Sequence, residues 1–184
     1  MIPRMVTMAA AMVLTSFAAA CFWDVPAAAQ AAPTTHDIPQ SIRLAHNETL
    51  AQLESIAKRK TETGPIAQKA LEVFKAHIRR EEEYILPPLT LAPAIAEGRV
   101  TPDMKWAIAM TDRIKADREA IFAEHTVITE RMIELTDAAE RTGEKDVIAF
   151  AQEAVTDSLN DTEVTEPAAI VIGEYLRAKL PAGP

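Results

Sequence analysis

The sequence predicts an all-α protein: an up-down-up-down four-helix bundle with a short C-terminal extra helix, following an N-terminal signal peptide. Three observations carry that expectation. Hydrophobic residues make up 48 % of the chain while aromatics make up 5 % and glycines number five, a mixture that favours helices over sheets. Apolar residues recur three and four apart through four long segments. Proline and glycine stand at the ends of those segments and between them, and not in their interiors. At 184 residues the chain has room for one domain with a substantial core.

Residues 1–31 read as a targeting segment. Arg4 supplies the positive charge, Met5 to Ala20 form an apolar stretch rich in small residues, and small-x-small cleavage signals end at Ala29 and Ala31. The stretch has the length of a signal peptide's apolar region and is short for a membrane span. The alternative is a lipoprotein signal, because Ala18-Ala19-Ala20 lead into the single cysteine, Cys21. The usual signal has Leu three residues before that cysteine, where this chain has Ala18. The expected location is therefore the periplasm, with membrane attachment only if Cys21 is lipidated. Cleavage at the later signal removes Cys21 and excludes both disulfides and thiol chemistry from the mature protein.

Residues 32–37 form a polar arm, and the bundle occupies 38–180. The first helix is expected to start at Asp37 as N-cap with Pro39 in its first turn, and to carry Ile42, His46, Leu50, Leu53 and Ile56 on one face. Thr61 to Pro65 interrupts the pattern. The second helix starts on Pro65, carries Ile66, Ala70, Phe74, His77, Glu81 and Ile85, and stops at Pro87-Pro88. After a longer link, Thr101-Pro102 opens the third helix, roughly 104–141, with Ile114, Ile121, His125, Ile128, Met132 and Leu135 on its stripe. Gly143 ends it. The fourth, about 144–166, carries Val147, Phe150, Ala154, Asp157, Asp161 and Val164, and Pro167 starts the short final helix.

The formal charge of −8, with no basic patch or basic helix, argues against a nucleic-acid or anionic-membrane partner. No Gly-rich phosphate loop, C-x-x-C-H haem motif, G-x-S-x-G elbow or Glu-x-x-His ferritin-type motif occurs.

The chemistry lies in three histidines on inward stripes. His77 and Glu81 are four apart on one helix face, so both can reach a single ion, the imidazole through a nitrogen and the carboxylate as a possible bridge. The second half repeats the first. His46 precedes His77 by 31 residues and His125 precedes Asp157 by 32; His77 and Asp157 each precede a proline by ten. Glu81 corresponds to Asp161, so a helical hairpin is used twice.

These residues resemble the hemerythrin (HHE cation-binding) family over roughly 38–176. The most specific part is the string from His77 through Glu81-Glu82-Glu83 to Leu86-Pro87. The resemblance implies a non-haem iron centre, of one or two ions, that binds or senses oxygen, nitric oxide, peroxide or iron. On the family's pattern His46, His77, Glu81 and His125 are the metal ligands. The chain departs on its fourth helix, where Asp157 and Asp161 stand in place of the family's His and Glu and join the set as substitutes. Nothing in the sequence supplies acid–base machinery beyond these groups, which points to binding or sensing and not to turnover. The competing expectation is a degenerate bundle without metal, a structural or protein-interaction module, in which the histidines are ordinary core residues and Asp157 and Asp161 face water.

Overall fold

The computed structural model describes residues 36–181, and every regular element among them is helical. The expected signal peptide, Cys21 and most of the polar arm lie outside the described residues. None of the described helices is long and apolar enough to cross a membrane.

Helix α1 spans Gln40–Ala57. Its N-cap position falls on Pro39 and not on Asp37, which caps nothing and stands 4.0 Å from Arg43. Proline biases the preceding residue towards extended backbone, so the helix opens only after it. Helix α2, Thr63–Arg80, begins two residues before Pro65, which takes its place in the first turn. The link that follows holds a 3₁₀ turn at Pro87–Leu91, the short α3 at Ala92–Ala96 and another 3₁₀ turn at Pro102–Lys105. Helix α4 runs from Trp106 to Thr142 and ends on Gly143, whose φ of 74° is the left-handed conformation that only glycine adopts without strain. Helix α5 covers Lys145–Asn160 and α6 covers Glu166–Lys179.

The hairpin repeat reappears in backbone geometry. Glu81–Ile85 after α2 and Asp161–Thr165 after α5 are both π-helical turns, and each is followed two residues later by a proline, Pro87 or Pro167. Proline lacks the N–H that would bond the carbonyl four residues back, and its ring crowds that carbonyl. The helix relieves this by widening just before it. The expected break before the final helix is therefore absent: α5 passes through its π turn into α6 as one continuous rod, with Pro167 in the first turn of α6.

Helix α1 packs on α2, α2 on α4, and α4 on α5 and α6, while α1 and α5 share only a small contact. The core is bundle-like and divided along its length. One apolar cluster joins Leu53, Ile56, Phe74, Ile78, Ile128, Met132, Leu135, Val147 and Phe150, and a second joins Tyr84, Ile85, Ile114, Ile121 and Ala169. His77, Glu81 and His125 are buried between them. On α4 the first cluster ends at Ile128 and the second begins at Ile121, leaving His125 in the gap. A polar layer thus separates the two apolar clusters. Desolvating such groups costs several kcal/mol unless they compensate one another or a cation joins them.

Candidate metal centre

Helix α2 builds the centre's first half. His77 and Glu81 lie one turn apart on the face that also carries Ile66, Ala70 and Phe74, so burying that stripe buries both. Glu81, only 1 % exposed, sits between two imidazoles: Oε2 is 3.2 Å from His46 Nε2 and Oε1 is 3.3 Å from His77 Nε2. His125 enters from α4, its ring 4.6 Å centre to centre from that of His77 and nearly perpendicular to it. One ligand atom each from His77, Glu81 and His125 lie within 4.8 Å of one another. Donors bound to one ion at about 2.1 Å stand roughly 3–4 Å apart, so a small contraction closes this group on a metal. The buried His77/Glu81/His125 group can hold a metal ion.

Each of the three histidines also has an outer partner. His46 Nδ1 is 3.2 Å from Glu82 Oε1, His125 Nε2 is 2.9 Å from Glu166 Oε1, and His77 Nδ1 faces Glu124 Oε2 at 3.6 Å. At His46 the carboxylate on Nδ1 fixes the tautomer and turns Nε2 towards Glu81, the arrangement usual for metal-ligating histidines, whereas the 3.6 Å separation at His77 is too long for a hydrogen bond. Glu124 is itself held by Arg80 at 2.8 Å. The second ring nitrogen of His125, Nδ1, is 2.9 Å from Ser158 Oγ.

The polar layer is incompletely satisfied as it stands. His77 Nδ1, Glu81 Oε1 and Glu124 Oε2 are buried without a hydrogen-bond partner. Such orphans are rare in folded interiors and call for an explanation. His46 and His77 have carboxylates on both sides, and a neutral imidazole can donate only once. Burial disfavours charge on His46 and His77, but the close approach and charge of Glu81, together with Glu82 at His46 and with Asp161 and Glu124 at His77, outweigh it and hold both pKa values above the usual histidine range. Burial likewise opposes ionisation of Glu81, yet the close approach and positive charge of His46 and His77 bring its carboxyl down to about 2. Protons here hold together a set of acceptors that a cation would satisfy as well.

The two aspartates part company. Burial, followed by the charge of Glu81, pushes the Asp161 carboxyl up to about 7, while His125 and His77 pull in the other direction. Asp161 thus belongs electrostatically to the centre. Asp157 is exposed and lines the mouth of a cavity of about 260 Å³ whose inner wall includes His46, His77, Glu81 and Asp161. The main influences on its raised pKa are burial and then Glu153.

Glu166, Ser158 and Glu124 were not foreseen in the sequence. A π turn inserts one extra residue into the helix, so a straight 3.6-residue stripe loses phase beyond Asn160. Val164, on the expected stripe, is 56 % exposed, and Glu166 is 7 % exposed in the interior. The repeat held the usable signal, since Glu166 precedes Pro167 as buried Leu86 precedes Pro87. The fourth histidine, His36, stacks on Trp106 with ring centres 3.7 Å apart.

Comparison of the chain with protein-family models, with curated proteins and with solved structures gives no match.

Proposed function

We propose that this chain is an exported, hemerythrin-like metal-binding protein whose helices form an up-down-up-down four-helix bundle around non-haem iron. His46, His77, His125, Glu81 and Asp161 would hold one or two ions. Nitrogen and carboxylate donors without sulfur suit iron among the transition metals. Iron held there supplies a coordination position for a small ligand such as oxygen, nitric oxide or peroxide, and the cavity between α1 and α5 gives such a ligand access. The single observation that carries this reading is Glu81, buried between the imidazoles of His46 and His77 with one oxygen left without a hydrogen-bond partner. The periplasmic location rests on the pattern of residues 1–31 in the sequence.

Iron analysis of protein produced in iron-supplemented medium, set beside His77→Ala, tests the assignment. Iron in the parent protein and its loss in the variant support it; equal iron in both, or none in either, contradicts it.

A second reading, a bundle without metal that serves a structural or interaction role, draws on His125. Both of its ring nitrogens already have partners, Ser158 and Glu166, as a core histidine would. It expects a protein whose melting temperature is indifferent to chelators, whereas an ion bound only by the folded state raises stability.

A further inference from the structure

The seam between α1 and α5 carries carboxylates from the surface down to the imidazoles of the buried layer, with no Lys or Arg in the walls of its cavities. The main cavity adjoins a smaller crease of about 70 Å³ along the same seam, and the two share Ala45, Thr49, Ala154 and Asp157. Glu48 and Glu153 line the crease, Asp157 stands at the junction, and Asp161 and Glu81 line the deep end. Glu153, Asp157 and Asp161 follow one another at four-residue spacing, so they descend one face of a single helix towards the buried layer. At the bottom, Glu81 Oε1 is buried without a partner.

We propose that this carboxylate ladder is the uptake route for the centre's metal ion, with Glu153 and Asp157 steering a divalent cation inward and not ligating it at rest. The proposal builds on the metal-binding reading. An acid-lined cleft with apolar walls concentrates cations and repels anions, and raises the association rate in a salt-dependent way. It gives Asp157 a use that fits its exposed place at the mouth.

The test follows Co²⁺ uptake by the full-length, metal-free protein in stopped flow, with Co²⁺ absorption as the readout. Glu153→Gln/Asp157→Asn is compared with Glu119→Gln/Glu130→Gln, which removes the same charge from exposed positions on α4 that line neither cavity. The ladder variant is expected to take up Co²⁺ about five- to tenfold more slowly at low salt, to converge on the parent rate as salt screens the charges, and to reach the same final stoichiometry. An unchanged rate overturns the proposal, as does equal slowing in the control pair. Lost stoichiometry in the ladder variant also overturns it, by making those residues ligands. If the parent protein takes up no Co²⁺ at all, the metal-binding reading itself falls, an outcome distinct from the others.

Discussion

The two hairpins of this molecule share a plan and differ in how they finish it. In the first, α1 and α2 bring His46, His77 and Glu81 to one point, and both imidazoles face the same carboxylate. In the second, α4 supplies His125, but the positions matching His77 and Glu81 hold Asp157, which is exposed, and Asp161, which is half-buried. The π turn and its proline are kept in both. What the second hairpin adds is Glu166, a buried acid where the first has the apolar Leu86, and its carboxylate lies 2.9 Å from His125 Nε2. Backbone geometry is thus repeated while ligand chemistry is not. The first half resembles a finished metal-binding hairpin; the second provides one imidazole, one buried acid and an acidic approach.

The largest expected effect follows from removing the shared carboxylate. Glu81→Ala deletes the group both imidazoles face, and metal affinity measured by competition with a chelator should fall about 100-fold or more. His46→Ala, which removes only one partly buried partner, should cost less. Equal losses in the two variants would erase the central position assigned to Glu81.

Next in size is a pH effect on the metal-free protein. Asp161 has a folded pKa of about 7, above its ordinary value, so the folded state binds its proton more tightly than the unfolded state does. Its protonated form is accommodated at low pH, and stability is lost as pH rises through the folded pKa. Asp161→Asn should therefore match the parent protein near pH 4 and exceed it at pH 8, by roughly 1–3 kcal/mol in denaturant unfolding. A gap that widens on acidification would contradict the burial of this carboxyl.

Glu166→Gln keeps the shape and removes the charge behind His125. Metal affinity is expected to fall about tenfold with the fold unchanged by circular dichroism. An unaltered affinity would leave Glu166 as a packing residue and His125 as a core histidine.

The turns of the hairpins sharpen the same comparison at smaller scale. Gly143 needs its left-handed φ but has open space around it, so Gly143→Ala should cost about 1 kcal/mol. At Gly64 a Cβ would fall 2.2 Å from the Arg59 carbonyl oxygen, a contact with backbone that cannot swing aside. Gly64→Ala should therefore cost more, roughly 2 kcal/mol, in thermal melts. The turns are tied to each other by Arg59, whose Nη1 donates to Glu144 Oε2 at 2.6 Å.

Much of this architecture was legible in residue spacing. The stripe from Ile66 through His77 and Glu81 to Ile85 is buried throughout, and so is the stripe from Ile114 through His125 to Leu135. The α1 stripe was legible only in part: Leu53 and Ile56 are buried, while Ile42, His46 and Leu50 remain half-buried because the cavity lies beneath that end of the helix. Periodicity records which face points inward and says nothing of how closely the neighbour approaches. Beyond Asn160 it failed for a different reason. The π turn shifts the register, which carried Val164 out to solvent and brought Thr165 and Glu166 in. Outer partners such as Glu124 and Ser158 come from other helices, so no spacing along the chain pairs them with His77 or His125.

The most direct measurement is an anomalous difference map from crystals of the iron-loaded protein, recorded at the iron absorption edge. A peak bonded to Glu81 and His77, inside the layer that separates the two apolar clusters, is the predicted result. A flat map at that position, with the helices folded and His46, His77 and Glu81 still in mutual contact, would show that the interior holds together without a metal.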